Sequence, residues 1–386
     1  MVENEWSRRR VIAAAAGAAA VVGAGVARAA TPPTPATIET AFGAMAVETV
    51  AHGLALPYRV VPLPEGDFLV SEKHAGRLRR VRPDGRISPP LAGLPPVYGE
   101  GNGGLLGLAL DRDFARSRIV FLAYAEPGTG DEAGLAVARA RLRADRLAGF
   151  EVIFRQRPKV ADIRNFGGRL AVASDGTVFI GTGDRFAHDL VQRPDNTIGV
   201  VARVAADGGI PPDNPFVGRD DVDPAIWSLG HRNIGGMAFH PATGRLWVHE
   251  FGPFGGDELN IAEPGRNYGW PLVSWGRHYT GEAIPPPPTR PNLAPAIFHW
   301  NPVISPSGMA FYDGAAIPPW RGSLLIGGLS GRLLVRLSLR GERVVAEERL
   351  PLGVRIRDVA VDAAGAVLLL TDEGDGRLLR ITRAAA

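Results

Sequence analysis

Short apolar strands separated by tight polar turns recur along this chain. In residues 236–249, an alternating run of small and apolar residues is followed by a Pro-Ala-Thr-Gly turn and then by a second alternating run. Turn residues of this kind between two alternating runs predict a β-hairpin. Five further stretches share the pattern: residues 58–87, 105–124, 167–184, 307–327 and 356–372.

The regular spacing of these six hairpin units predicts a closed repeat. They follow one another at roughly 45 to 70 residues, a period typical of propeller blades. Helical periodicity is nearly absent after residue 29. We therefore predict an all-β fold, a six-bladed β-propeller that spans residues 44–386.

One strand near the N-terminus has no hairpin partner close to it in the sequence. Residues 45–50 read MAVETV, and the polar, Pro/Thr-rich stretch before them, residues 30–43, is predicted to be a linker. In a propeller, such an isolated strand completes the last blade and removes an exposed edge. Its predicted partner is residues 376–382, with the sequence GRLLRIT.

Residues 1–29 are predicted to be an export signal. Consecutive arginines precede an Ala-rich apolar run, and Ala27-Arg28-Ala29 has the small-x-small cleavage pattern. The paired arginines favour the twin-arginine route over an ordinary secretory signal. The apolar run is short for a spanning helix, so that cleavage is favoured over a membrane anchor. We expect a periplasmic or secreted product without stable membrane insertion.

Composition excludes several classes of function. The 43 basic and 40 acidic residues include four arginines and two glutamates in residues 1–29, so that 39 and 38 remain. This near-neutral balance, without a dense basic run, gives no reason to expect nucleic-acid binding. Cysteine is absent, which excludes disulfides and thiolate chemistry.

A series of motifs between residues 101 and 359 carries a family resemblance. In chain order they are GNGGLLGLAL, NFGGRL, GTGDR, DNPF, WSLGHRN, EFGPFGGDELN, NYGWP, SGMAFY and RIRDV. Together they closely resemble the soluble aldose sugar dehydrogenases that use pyrroloquinoline quinone (PQQ), the glucose/sorbosone dehydrogenase family. The resemblance implies a six-bladed propeller that oxidises an aldose sugar at its anomeric carbon to the lactone. PQQ would accept the hydride, calcium would polarise the quinone, and an external acceptor would receive the electrons.

The resemblance also implies a set of site residues. Contacts to PQQ are implied for Arg232, Asn233, Arg355 and Arg357, and Arg232 also belongs to the implied catalytic set. The carbonyl groups of Gly252 and Pro253 match ligands of the catalytic calcium. Glu258, together with the backbone of Tyr268, matches a second, structural calcium site. Hard oxygen ligands of this kind suit calcium.

Three positions depart from the family pattern. Asn165 stands where the family has its catalytic histidine, Asn102 replaces a glutamine, and Ser330 replaces a lysine that contacts PQQ. An amide cannot accept a proton, and the loss of a general base typically costs about 10²–10⁴ in rate. Ser330 supplies no charge, which predicts roughly tenfold weaker PQQ binding. His231 and His188 are the alternative bases that the sequence offers.

Three functional hypotheses follow from these observations. The first is a PQQ- and calcium-dependent dehydrogenase that is impaired at Asn165. The second is a catalytically silent, exported propeller that binds calcium and a quinone or a sugar. The third is a propeller hydrolase such as a lactonase, with Glu250, Asp257 and Glu258 as a carboxylate metal site.

Overall fold

The computed structural model describes residues 34–384, which form six antiparallel sheets arranged as the blades of a β-propeller. All six predicted hairpin units are present as neighbouring strands within a blade. The predicted export signal lies outside the described residues. Within residues 34–384, no helix has the length and apolar character needed to cross a lipid bilayer.

The strands and helices follow in chain order. β1 (Thr37–Ile38) and β2 (Met45–Leu54) come first. Blade 1 contains β3 (Pro57–Pro62), β4 (Phe68–Glu72) and β5 (Arg77–Val81). Blade 2 contains β6 (Leu105–Leu110), the short helix α1 (Phe114–Ser117), β7 (Ile119–Pro127), β8 (Ala133–Leu142) and β9 (Leu147–Arg155). Blade 3 contains β10 (Gly167–Val172), β11 (Val178–Thr182), β12 (Val200–Val204) and β13 (Ile226–Leu229).

The remaining three blades complete the ring. Blade 4 contains β14 (Ile234–Phe239), β15 (Leu246–Glu250), β16 (Asp257–Ile261) and β17 (Phe298–Trp300), with a 3₁₀ turn at Pro287–Thr289. Blade 5 contains β18 (Pro306–Tyr312), β19 (Ser323–Gly328), β20 (Leu333–Arg340) and β21 (Arg343–Pro351), with a 3₁₀ turn at Pro318–Trp320. Blade 6 contains β22 (Ile356–Val361), β23 (Val367–Thr371) and β24 (Gly376–Arg383).

The N-terminal strand closes the ring, as the sequence predicted. β2 pairs with β24 in an antiparallel register from Met45↔Arg383 to Leu54↔Gly376. The stretch predicted as a linker is not wholly irregular, because β1 pairs with β2 at the outer edge of the same sheet. Ile38 explains this strand, since its side chain is buried against blades 5 and 6. Blade 6 therefore has five strands from both ends of the chain.

Six apolar clusters lie between neighbouring blades, one at each interface. Phe121 of blade 2 packs with Ile180 of blade 3, for example, and Trp247 of blade 4 packs with Leu324 of blade 5. The other interfaces have clusters of the same kind. A blade buried on both faces is apolar at successive positions, which explains runs such as VLLLT in β23.

A buried ion-pair network joins inner strands across the centre of the ring. Asp358 on β22 accepts hydrogen bonds from Arg169 of β10 at 2.7 Å and from Arg59 of β3 at 3.1 Å. It also accepts the backbone N–H of Val60 at 2.8 Å. Blades 1, 3 and 6 are thereby joined at the axis, on the side of the cavity where the inner strands begin.

Candidate active site

A cavity of about 660 Å³ lies where the inner strands of the ring begin. Turns from all six blades line it, because the loops that precede the inner strands and those between the second and third strands lie on one face of the propeller. Eight of the site residues predicted from the sequence line this cavity: Asn102, Asn165, Arg232, Asn233, Gly252, Pro253, Arg355 and Arg357.

Arg232 is a buried cation that faces the cavity without a salt-bridge partner within residues 34–384. Its residue is 5% exposed, and its Nη1 donates to the carbonyl oxygens of Phe251 at 3.0 Å and Gly252 at 2.8 Å. Its Nε is buried and has no hydrogen-bond partner in this part of the chain. The positive charge of Arg232 favours the ionised forms of Asp184 and Asp257 and acts to lower the pKa of each, although neither carboxylate contacts it. This arrangement fits an anionic ligand, because a buried charge normally requires a partner.

Arg355 and Arg357 enter the cavity from blade 6 and share one carboxylate. Asp372 accepts one hydrogen bond from Nε of Arg355 at 2.9 Å and another from Nη2 of Arg357 at 2.7 Å. Burial alone would raise the pKa of Asp372, but the two arginines, with Arg357 first, hold it below its usual value. One carboxylate balances only one of the two guanidinium groups, so that this side of the cavity stays positive.

Asn165 occupies a left-handed turn at the cavity wall, with a φ of 47°. Its Nδ2 donates to Oδ1 of Asp184 at 2.9 Å, and its backbone N–H donates to Oδ1 of Asn102 at 3.0 Å. Trp270 also donates to Asp184, through Nε1 at 2.8 Å. Burial opposes ionisation here, but His188, Arg232 and Asn165 hold the pKa of Asp184 below its usual range. An anionic carboxylate therefore lies directly behind Asn165, the residue at the position predicted for the general base.

The two alternative histidines lie in different surroundings. His231 is fully buried, with Nε2 2.9 Å from Oγ of Ser228 and Nδ1 2.9 Å from Oε1 of Glu250. Both ring nitrogens are thus occupied, which fits a structural role. His188 has its Nε2 3.3 Å from Oδ2 of Asp184, and a third of its side chain is exposed. Of the two, only His188 adjoins the carboxylate behind Asn165.

The residues predicted to bind calcium lie around a second, small cavity of about 20 Å³. Gly252 and Pro253 line both cavities, whereas Glu258 and Tyr268 line the small one. Burial, followed by repulsion from Glu250, raises the pKa of Glu258 to about 8. A cation in this space would relieve that repulsion, and the donor set of carbonyl and carboxylate oxygens suits calcium. No group of three acidic or histidine side chains that could hold a metal occurs in the described chain.

The carboxylates of the proposed hydrolase site are used by the protein itself. Glu250 accepts hydrogen bonds from His231, from the backbone N–H of Arg232 and from Asn260. Asp257 accepts the backbone N–H groups of Gly252, Ile304 and Ser305, although burial raises its pKa to about 6. These contacts position the loops around the cavity, and they give the lactonase hypothesis no support.

Ser330, the predicted cofactor contact that replaces a lysine, is exposed and is not among the residues that line the cavity, although its Oγ lies 2.8 Å from Oγ of the lining residue Ser305. Several other residues of the site were not assigned a role from the sequence. The wall also contains Lys73, Tyr58, Arg164, Phe186 and Tyr279. Arg164 stacks on the ring of Phe186 at 3.4 Å, and the Phe186 and Tyr279 rings are parallel at 6.5 Å. Asp184 also had no role assigned, although its place in the GTGDR motif could have indicated one.

The protein is a six-bladed propeller with a cavity that is lined by arginine and asparagine side chains and adjoins a smaller, oxygen-lined cavity. These features define the class of ligand-binding propellers. The model of one family, Glucose / Sorbosone dehydrogenase, matches residues 54–380. The chain therefore belongs to the glucose/sorbosone dehydrogenase family, as its motifs indicated.

Individual relatives support the same placement. The chain is 38% identical over 342 residues to the aldose sugar dehydrogenase YliI of Escherichia coli strain K12, covering 87% of this chain and 92% of that protein. The crystal structure of a glucose dehydrogenase matches with a TM-score of 0.83 at 46% identity, over 88% of this chain and 99% of the other. The PQQ-bound form of the aldose sugar dehydrogenase from Streptomyces coelicolor matches with a TM-score of 0.72 at 30% identity, over 91% and 99% of the two chains.

Proposed function

We propose that this protein is an exported sugar dehydrogenase that uses PQQ and calcium to oxidise aldoses at the anomeric carbon, and that it does so slowly. The observation that carries the proposal is the buried guanidinium of Arg232, which has no salt-bridge partner within residues 34–384 and faces the same cavity as Arg355 and Arg357. The relative from Streptomyces coelicolor supplies the ligand by analogy, because its structure contains PQQ. The aldose sugar dehydrogenase of Escherichia coli supplies the substrate class.

The chain's own residues fit the carboxylates of PQQ. Guanidinium groups are always charged and present a planar fork of donors, which matches a carboxylate in two-pronged contacts. Arg232 lines the cavity without a salt-bridge partner within the described residues, and the side chain of Arg355, which also lines it, is 44% exposed. The amides of Asn102 and Asn233 supply neutral hydrogen bonds beside these charges.

The chemistry divides between the cofactors and the protein. When bound, PQQ supplies a two-electron acceptor and calcium a Lewis acid that polarises its quinone. The exposed rings of Phe254 and Tyr279, each 66% exposed at the cavity rim, can pack against the apolar face of a sugar. Asn165 can hydrogen-bond to a sugar hydroxyl but cannot take its proton, so that the slow step is the one that needs a base.

A silent binding propeller is the second candidate, and one contact favours it. Nδ2 of Asn165 donates a hydrogen bond to Asp184, which holds an amide at the position predicted for the base. In this case the protein would bind PQQ or a sugar, and no electrons would reach an external acceptor. The export signal and a periplasmic or secreted location are shared by both hypotheses.

One titration separates the hypotheses. Purified protein is titrated with PQQ in the presence of calcium, and the quinone absorbance is recorded before and after an aldose is added. Binding followed by slow reduction of the quinone supports the dehydrogenase. Binding without any reduction supports the silent propeller. Absence of binding at high micromolar PQQ would exclude both the cofactor and the proposed reaction.

Calcium should stabilise the folded protein through the small cavity. At a hundredfold excess over its dissociation constant, a ligand that binds only the native state adds about 2.7 kcal/mol of stability. We therefore expect a chelator to lower the melting temperature and added calcium to restore it. Magnesium should restore less, because it prefers a strict octahedral geometry and keeps its waters.

The matched control for the calcium experiment is Glu258→Gln. This variant removes the carboxyl group that would ionise beside a bound cation but keeps the size of the side chain, so that its melting temperature should no longer respond to calcium. An unchanged melting temperature of the wild-type protein after chelation would argue against the site.

A further inference from the structure

Lys73 lies in the cavity wall, although its sequence position is far from every motif of the site. It follows β4 of blade 1, and its residue is 8% exposed. Its Nζ donates to the carbonyl oxygen of Gly101 at 3.1 Å, next to Asn102. An ammonium group has three donors, so that this contact leaves two for a ligand. The chain has only one other lysine, Lys159.

The position of Lys73 mirrors that of Ser330 across the arginine pair. Ser330 lies in the turn between β19 and β20, the second and third strands of blade 5. Lys73 lies in the turn between β4 and β5, the second and third strands of blade 1. Blade 6, which carries Arg355 and Arg357, packs between blades 5 and 1. The two turns therefore flank the arginine pair on opposite sides of the same cavity.

We propose that Lys73 supplies the cationic contact to a PQQ carboxylate that Ser330 cannot make. The inference rests on the proposed function, because it concerns how the same cavity holds its cofactor. The positive charge that is absent at Ser330 in blade 5 is thus supplied by Lys73 in blade 1, two blades further around the ring. The arginine pair therefore keeps a cationic neighbour. Binding of PQQ should accordingly be stronger than the replacement at Ser330 alone would predict.

The electrostatic surroundings of Lys73 support this role. Burial, followed by the positive charge of Arg357, lowers the pKa of Lys73 to about 8, and Asp372 opposes the shift. Further ionisable groups lie beside it in the chain, next to its partner Gly101 or in the cavity wall: Tyr58, Glu72, His74, Glu100 and Arg355. An anionic ligand would stabilise the protonated amine and raise this pKa again. Below pH 8 the amine is charged before and after binding, whereas above pH 8 binding must take up a proton.

The test compares equilibrium binding of PQQ to wild type and three variants, followed by quinone absorbance in the presence of calcium. Lys73→Met should lower the affinity about ten- to a hundredfold, since it removes a charged hydrogen bond from a buried site. Lys73→Arg should keep most of the affinity. Lys159→Met is the matched control, because Lys159 pairs with Glu126 at 2.8 Å on blade 2 and should leave binding unchanged.

The pH dependence separates a charge contact from a loss of packing. Wild-type affinity should fall above pH 8, by up to about tenfold for each pH unit. Lys73→Arg should not show this decline, because arginine stays protonated. Adding Ser330→Lys to the Lys73→Met variant should recover part of the lost affinity. Equal binding by wild type and Lys73→Met would overturn the inference and leave the dehydrogenase intact, whereas no binding by wild type would overturn both.

Discussion

Replacing Asn165 with histidine should raise the rate of sugar oxidation by a factor of about 10² or more. The variant restores a group that can accept the proton of the sugar hydroxyl near neutral pH, which the amide cannot do. The measurement is the rate at which an aldose reduces bound PQQ, with both proteins saturated with PQQ and calcium. Saturation ensures that the comparison reports the chemical step rather than cofactor affinity.

The surroundings of Asn165 are already suited to a histidine. Asp184 accepts Nδ2 of Asn165 at 2.9 Å, so that an imidazole N–H at this position would find an anionic partner that orients the ring. The depressed pKa of Asp184 keeps that partner ionised. Histidine, like asparagine, is enriched among residues with a positive φ, and the φ of 47° should therefore add little strain.

Two controls distinguish the base from a change in shape. Asn165→Gln enlarges the side chain without supplying a base and should give no gain. Asp184→Asn in the histidine variant should remove most of the gain, because the imidazole loses its anionic partner. A wild-type protein that already turns over rapidly would mean that another base is present, and His188 would be the first suspect, since His231 has both nitrogens occupied. A histidine variant that binds PQQ and stays inactive would mean that the cavity serves another reaction.

The fold could be predicted because its information is local. Each blade is built on a hairpin, and alternation with a tight turn specifies a hairpin within about 20 residues. Closure by β2 was predictable as well, since residues 45–50 had no nearby partner. β1 was missed because two residues, Thr37 and Ile38, carry no periodicity and form a strand only through burial of Ile38.

The site could be predicted only where its residues lie in motifs. Asn165, Arg232 and Arg357 were assigned because they lie in the NFGGRL, GHRN and RIRDV motifs, which resemble those of the glucose/sorbosone dehydrogenase family, and all three line the cavity. Lys73 and Tyr279 were not found, because their relation to the cavity depends on how the ring closes and on the path of an irregular loop. Lys73 and Ser330 are more than 250 positions apart in the chain, and yet both turns border the arginine pair.

Replacing Arg232 with methionine should weaken PQQ binding by about 10² or more. Truncating one partner of a buried, hydrogen-bonded charge pair typically costs about 2–5 kcal/mol, and 1.4 kcal/mol corresponds to a factor of ten. Methionine keeps the aliphatic stem among the rings of Phe186, Trp270 and Tyr279, which surround the guanidinium at 5.3–5.9 Å. The affinity is measured by titration with PQQ, and the melting temperature of the variant checks that it is folded.

Arg164→Met is the matched control, because Arg164 also lines the cavity but is already neutralised. Asp162 accepts two of its hydrogen bonds, and its side chain is 49% exposed, so that its loss should change the affinity less than about threefold. The contrast between the two variants locates the anion. If Arg164→Met lost the affinity and Arg232→Met retained it, the ligand would lie at the cavity rim rather than over the channel. The charge of Arg232 would then serve only the carbonyl groups of Phe251 and Gly252 and the hydroxyl of Tyr279, and the cofactor assignment would lose its main support.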